Sequence, residues 1–393
     1  MTDKPVLNRR FVRLRAIQNL YAFYVCKQAN YEWALEQIRN DFTPDIFAEA
    51  PVDKEQLAQN KAQALALFAS LFDPSQATNS DQASYHSQIK AAVKKARSNY
   101  ETETAKDLQK LHSSWALITD KIRQACLYIL QLLIEWADVS QRQAERPSLS
   151  KQHRPDSSTY LAHNRIVQFL RANTAFTQLI QRNTISWAAN IDLVVSWYNQ
   201  FVKDNPDLQS VPIKLTIPAQ DRQHLEYLMQ AIIFEQKAIQ EFFSDLDLSW
   251  EAHKRIVKKI VNQALTALEE STEKDSKLGV PEASPEWEEA QHFYTDLTTK
   301  TLEQDQAFDD LIRQHIRNWT IDRIVLLDKV ILKLAMCEMM HFVNIPIKVS
   351  INEYIDLSRT YSTPQSGQFI NGVLDSVAKT LSEAKILPRT ITD

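Results

Sequence analysis

The chain has 393 residues, 44% of them hydrophobic, with a formal net charge of −4, a length that allows two or three domains. Only three residues are glycine, Gly279, Gly367 and Gly372, far below an ordinary usage of roughly 7%. That scarcity excludes glycine-rich phosphate loops, dinucleotide-binding fingerprints and sheets full of tight turns, and leaves an all-α protein.

Charge is unevenly spread. The first 31 residues carry Lys4, Arg9, Arg10, Arg13, Arg15 and Lys27 against Asp3 alone, a net of +5 that leaves −9 for the rest. Such an asymmetry marks a local anion-binding surface. A first helix is predicted over residues 7–28, with Leu14, Ile17, Tyr21, Tyr24 and Val25 as its buried stripe and Arg9 and Arg13 one turn apart. The segment has neither the apolar core nor the cleavage site of a secretory signal. It also lacks the serines of a transit peptide.

Residues 53–72 predict a second helix, and the polar composition of Ser75–Ser84 a loop. Leu108, Leu111, Trp115, Ile118, Ile122, Ala125, Ile129, Leu132 and Trp136 then alternate spacings of three and four. This is a coiled-coil seam, expected to pack against another helix of the same chain. Residues 140–157 read as an exposed linker, and 159–203 as two more helices ended by Asn205-Pro206. Pro212 and Pro218 frame a short extended piece.

A repeat follows. Residues 235–250 lie on 304–319 without a gap, pairing Ala238 with Ala307, Ile239 with Phe308, Phe243 with Ile312 and Trp250 with Trp319. The expectation is a degenerate helical unit preceding the true one. Lys90, Lys94, Lys95 and Arg97 form a second basic face, and Lys254, Arg255, Lys258 and Lys259 a third.

Residues 318–381 predict three helices. The first carries Ile321, Ile324, Ile331, Leu334 and Met339, interrupted by Asp328 and Glu338, and stops before Asn344-Ile345-Pro346. The second opens on a capping box made by Ser350 and Glu353. The third opens on Thr363-Pro364 and carries Phe369, Ile370, Val373, Leu374 and Val377 on one face. Gly372 costs roughly 1 kcal/mol in a helix and is tolerated where a backbone or a ligand comes close.

These residues carry a resemblance. Asn318-Trp319, Asp322-Arg323-Ile324, Leu327, Asp328, Leu334-Ala335 and Glu338, then Ile345-Pro346, Lys348-Val349 and Ile351-Asn352-Glu353, then Phe369-Ile370-Asn371-Gly372-Val373-Leu374-Asp375, resemble the NusB family. The stretch from Arg9 to Tyr21 resembles the first helix of that family. The resemblance implies a small all-α bundle of bacterial transcription antitermination. It would bind a boxA-like single-stranded RNA together with a small-subunit ribosomal protein acting as NusE, within the transcription elongation complex, in the cytoplasm. The expected organisation is residues 1–30 as first helix and basic arm, 31–285 as a helical insertion with the degenerate repeat at 220–270, and 286–393 as the C-terminal bundle.

No catalytic constellation is present: nine histidines are scattered singly, and no HxxxH or HExxH pair occurs. Cys26, Cys126 and Cys337 read as small buried hydrophobes rather than a zinc site or disulfide framework. No cofactor, metal or membrane span is expected. Phosphates need Lys or Arg and single-stranded bases need an aromatic face. The candidate RNA-binding residues are therefore Arg9, Arg10, Arg13, Gln368 and Phe369. Phe369 reads equally well as core, and Gln368 stands where the family commonly has a basic residue. A helical scaffold that kept the fold and lost RNA binding is the alternative.

Overall fold

The computed structural model describes residues 7–44, 53–72, 86–145, 160–203, 205–209, 218–270, 280, 285–316, 320–384 and 386–387. The expected loop at Ser75–Ser84, most of the linker, the piece before Pro218, and Trp319 lie outside them. Every regular element among the described residues is helical.

Helix α1 (Arg9–Asp41) runs thirteen residues beyond the predicted end. Helix α2 (Lys54–Ser70) starts at Asp53, whose carboxylate accepts the Glu55 and Gln56 N–H groups. Helix α3 (Ser87–Ala144) contains the whole seam. Where two helices were expected after it, asparagines cut the chain more finely. Asn164 separates α4 (Tyr160–His163) from α5 (Arg165–Ala172), and Asn173 separates α5 from α6 (Thr174–Arg182), each side chain capping the helix that follows. Helix α7 (Ile191–Trp197) widens into a π turn, Tyr198–Val202. Helices α8 (Pro206–Gln209), α9 (Pro218–Tyr227) and α12 (Pro285–Glu303) begin on prolines, whose missing N–H costs nothing there. Helix α9 continues as a π turn, Leu228–Ile233, before α10 (Lys237–Leu246) and α11 (Trp250–Glu270). The C-terminal set is α13 (Asp305–His315), α14 (Leu326–His341), α15 (Ile347–Tyr361) and α16 (Ser366–Glu383).

The chain forms two compact units, one built on Ala116–Ala290, the other on Arg9–Trp115 and Gln291–Asp393. In the first, the seam packs within the chain: Ile122, Ile129, Leu132 and Trp136 are fully buried. The Trp136 indole N–H donates to the Val194 carbonyl at 3.1 Å, and that of Trp187 to the Tyr128 carbonyl at 3.1 Å. The Phe242 ring closes this cluster 4.7 Å from Trp187.

In the second unit, the C-terminal half of α1 joins α2 and the start of α3 around Ala34, Ile38, Phe68, Ile89 and Val93. Residues from 31 to 115 therefore share a body with the C-terminal helices. Trp115 stacks on Tyr294 at 5.4 Å, and the Asn19 amide donates to Ser114 Oγ and to the Tyr294 hydroxyl, both at 2.9 Å. Helix α14 is the centre, with every side chain from Val330 to Met339 buried. It lies against α1, α13, α15 and α16. The stripe expected on α1 holds for Leu14 and Ile17, whereas Tyr21 and Val25 are exposed, because the buried face turns through Phe11, Leu20 and Phe23 instead. Cys126 and Cys337 are buried as expected; Cys26 is exposed.

Burial can be compared along the step of the expected repeat. Moving 69 residues along the chain carries Asp221, His224, Leu225, Leu228, Met229 and Ile232 onto Ala290, Phe293, Tyr294, Leu297, Thr298 and Thr301, and all twelve are buried. The same step carries Ile239 and Phe243 of α10 onto Phe308 and Ile312 of α13, the buried residues of those two helices. Both helices end on an extended residue, Asp247 and Ile316, whose N–H closes the last turn. The two segments thus bury the same helical positions at a constant step, although the polar ones among them stand opposite apolar residues. Trp250 is buried.

Candidate nucleic-acid interface

The surface is built on the second unit, from the start of α1, the face of α15 and the start of α16. Its anchor is a buried carboxylate that interrupts an apolar stripe. Glu338 of α14 is fully buried and accepts from Arg13 Nε at 2.8 Å and Arg13 Nη2 at 2.9 Å. It also accepts from the Ser350 hydroxyl at 2.6 Å and the Tyr354 hydroxyl at 3.1 Å. A charge inside a protein is tolerable when it is paired and its remaining lone pairs are filled, and here four donors do that. Burial alone would lower the Arg13 pKa; the Glu338 carboxylate outweighs it and holds it above its ordinary value. Burial pushes the Tyr354 hydroxyl well up, and Glu338 adds to the effect.

This arrangement corrects two expectations. Arg13 does not face solvent as a phosphate ligand: at 3% exposure it is sealed onto Glu338, and it fastens α1 to α14 and α15. Ser350 and Glu353 do not form a capping box, because α15 begins earlier, at Ile347 after Pro346. Ser350 is an interior residue of that helix, and its hydroxyl is spent on Glu338. Glu353 turns the other way, 3.4 Å from Arg10 Nη1 and 3.7 Å from Arg13 Nη1.

The other predicted residues stay at the surface. Arg9 is exposed, its guanidinium 5.8 Å from the Phe293 ring centre. Arg10 is partly exposed beside Glu353. At the start of α16, Gln368 is exposed and Phe369 half-buried, while Ile370, Val373, Leu374 and Val377 form the buried face. The helix is entered by a turn in which the Thr363 N–H donates to Ser366 Oγ and the Ser366 N–H to the Thr363 carbonyl. The regular helix therefore begins at Ser366, two residues beyond Pro364. Asp328 of α14, also buried, accepts from Ser362 Oγ at 2.6 Å and Ser366 Oγ at 2.7 Å, which fixes the position of that turn.

Two clefts meet at Gln368. One, about 540 Å³, has Arg323, Ile324, Val325, Gln365 and Phe369 in its wall. The other, about 610 Å³, is lined by Asn352, Asp356, Arg359, Gly367 and Asn371. Gly367 does not leave open space beside Phe369: a Cβ there would lie 2.7 Å from Arg359 Cγ, so the Arg359 side chain already covers it. At Gly372 a Cβ would meet nothing within 4 Å, and the residue is exposed. Sequence reasoning missed Glu338, Arg323 and Arg359. Glu338 alone left a signal, as a charge in the middle of an apolar stripe.

Among the described residues no group of His, Cys, Asp and Glu could hold a metal ion, and no helix is long and apolar enough to cross a membrane. The fold and site thus define an all-helical bundle with a surface of mixed basic, amide and aromatic groups around a buried ionic anchor. Residues 254–379 match the NusB family. The transcription antitermination protein NusB of Bacillus cereus (strain B4264) is 34% identical over 128 residues, which are 33% of this chain and 98% of that protein. That of Bacillus mycoides (strain KBAB4) matches to the same extent. A solved structure, T. maritima NusB, is 26% identical, covers 40% of this chain and 90% of its own, and superposes with a TM-score of 0.23. The chain belongs to the NusB family of transcription antitermination proteins. The family match begins at Lys254, in α11, and takes in no residue of α1.

Proposed function

We propose that this protein binds a boxA-like single-stranded RNA through Arg9, Arg10, Gln368 and Phe369. It does so together with a small-subunit ribosomal protein acting as NusE, which docks on the α14–α16 bundle, and it serves transcription antitermination in the elongation complex. One observation carries this reading. Arg10 meets Glu353 of α15, and α15 lines the cleft that ends at Gln368, the residue it shares with the neighbouring cleft walled by Phe369. Arg9 and Arg10 supply phosphate contacts, and the half-buried Phe369 ring supplies a stacking face for a base. Arg13 is a positioning residue that holds α1 in place. Neutral Gln365 and Gln368 contribute amide hydrogen bonds to base edges and no charge.

The test is RNA affinity measured at several salt concentrations. Arg9→Ala/Arg10→Ala is expected to flatten the slope of log affinity against log salt by roughly 0.7 per residue removed, the single-strand value. Phe369→Ala is expected to weaken binding by about 1–3 kcal/mol with little loss of thermal midpoint. A parent protein whose RNA affinity is weak and unaffected by any of these changes would leave only the scaffold reading.

A further inference from the structure

Helix α1 turns to solvent an apolar face that its spacing would assign to a packed interface. Tyr21, Val25, Ala29 and Trp33 fall four residues apart and so form one ridge along the helix. All four are exposed, Tyr21 at 40%, Val25 at 44% and Trp33 at 49%. Ala22 and Cys26, also exposed, stand on the next row and leave a shallow groove beside the ridge. The row on the other side is polar and satisfies itself, the Gln28 amide donating to Glu32 at 2.9 Å. Exposed Gln18 precedes the apolar run, and the Glu36–Arg39 pair follows it.

The patch has the size of an interface. It runs about 18 Å along the helix axis and leaves roughly 400 Å² of apolar surface in water, a size at which exposed patches commonly bind something. A standard interface buries about 800 Å² on each side, about 65% of it apolar in homodimers. The six side chains therefore supply most of the apolar area that a dimer needs.

The order of side chains says what covers it, because the face is complementary to itself. Ridges of residues four apart pack into one another at a crossing angle of about −50°, the commonest arrangement of two helices. A two-fold axis at the level of Lys27, midway between Tyr21 and Trp33, lays the ridge of one copy in the groove of the other in reverse order. Trp33 of one copy then meets Tyr21 of the other, ring beside ring. Val25 meets Ala29, large beside small, at the point where the helices approach most closely.

We propose that this face of α1 joins two copies of the chain in an isologous dimer, with the two α1 helices crossing antiparallel at Lys27. The inference does not depend on RNA binding: Arg10 lies roughly 16 Å along the helix from Tyr21, outside the patch.

The experiment is sedimentation of the full chain over a range of concentrations, with circular dichroism to check that each variant stays helical. The parent is expected to show a monomer–dimer equilibrium. Val25→Glu and Ala29→Lys should each be monomeric, because each places an unpaired charge at the crossing. Mixing the two should restore a dimer, since the introduced carboxylate of one copy then faces the introduced ammonium of the other. Trp33→Ala should raise the dissociation constant at least about tenfold, as loss of an aromatic anchor does. Leu248→Glu, at a fully exposed leucine of the other unit, should change nothing. A parent that is monomeric at every concentration overturns the proposal and leaves the face to a different protein. A dimer that survives Val25→Glu and Trp33→Ala, or dissociates with Leu248→Glu, has its interface elsewhere and overturns it too. Charge variants that stay monomeric when mixed overturn the antiparallel crossing.

Discussion

The segments α9–α10 and α12–α13 have the same pattern of buried positions at a constant distance of 69 residues, yet the helices that follow them, α11 and α14, handle charge in opposite ways. Helix α14 keeps three ionic groups inside. Asp328, Lys333 and Glu338 are all buried, and each is held by another element: Asp328 by Ser362 and Ser366, Lys333 by Asp305 and Asp309, Glu338 by Arg13, Ser350 and Tyr354. Helix α11 buries an apolar face of Ile256, Val257, Ile260, Val261 and Leu265 and turns its cations outward. Among its described side chains the buried ionisable group is His253, paired with Asp247. The difference teaches that burial register and polar placement are set separately. The register follows from helical spacing and can be repeated cheaply. A buried ionic network must be completed from several elements, and α14 has α1, α13, α15 and α16 to complete it.

The largest expected effect comes from breaking the α14 network at its centre. Glu338→Ala removes the acceptor of two Arg13 hydrogen bonds and of the Ser350 and Tyr354 hydroxyls, and leaves a buried guanidinium with only the more distant, partly exposed Glu353 carboxylate at 3.7 Å. The expected loss is about 3–5 kcal/mol, read from urea unfolding. A loss below about 1 kcal/mol, within the range of exposed ion pairs, would mean that the network holds nothing together. Next comes the register itself. Leu228 and Leu297 occupy matched positions and are both buried; Leu228→Ala and Leu297→Ala should each cost about 2–5 kcal/mol. A near-neutral result at one position would break the equivalence of the two segments. Smaller again is Asp328→Asn, which keeps the shape but loses the charge that strengthens two serine hydrogen bonds. The expected loss is about 1–3 kcal/mol, again by urea unfolding, with α16 most affected in hydrogen exchange.

How much of this was legible in the sequence depends on the kind of interaction. The helical class followed from the scarcity of glycine, and the seam in α3 and the buried face of α16 followed from spacing, because helical periodicity is local. The sequence match of the expected repeat covers sixteen residues, whereas the burial pattern shared by the preceding helices is illegible on paper because it includes polar positions such as Asp221 and Thr298. Helix boundaries were less legible. Asn164 and Asn173 cut a predicted helix because their side chains satisfy free N–H groups, and Ser350 reads as a cap in the sequence because the motif cannot show that its hydroxyl belongs to Glu338, twelve residues earlier. The candidate site suffered most from the same limit. Arg9, Arg10 and Arg13 are indistinguishable as a basic cluster on paper. Only the partner 325 residues away separates the one that is structural from the two that are not.

That separation supplies the sharpest small prediction. Arg10 and Arg13 lie on adjacent turns of α1 and both approach Glu353, at 3.4 Å and 3.7 Å, so a reading based on charge alone expects similar consequences from losing either. Burial says otherwise. The Arg10 and Glu353 side chains are 41% and 30% exposed, and a pair so solvated contributes about 0–1 kcal/mol and weakens with salt. Arg10→Ala should therefore leave the unfolding midpoint nearly unchanged, helped by the helix preference of alanine, while it flattens the salt slope of RNA binding. Arg13→Ala should do the reverse: it leaves Glu338 buried without its counter-charge, so stability falls while the folded fraction keeps the parent's salt slope. If Arg10→Ala destabilises as much as Arg13→Ala, the outer pair is part of the anchor, and Arg9 alone remains as the basic contribution of α1 to an RNA surface.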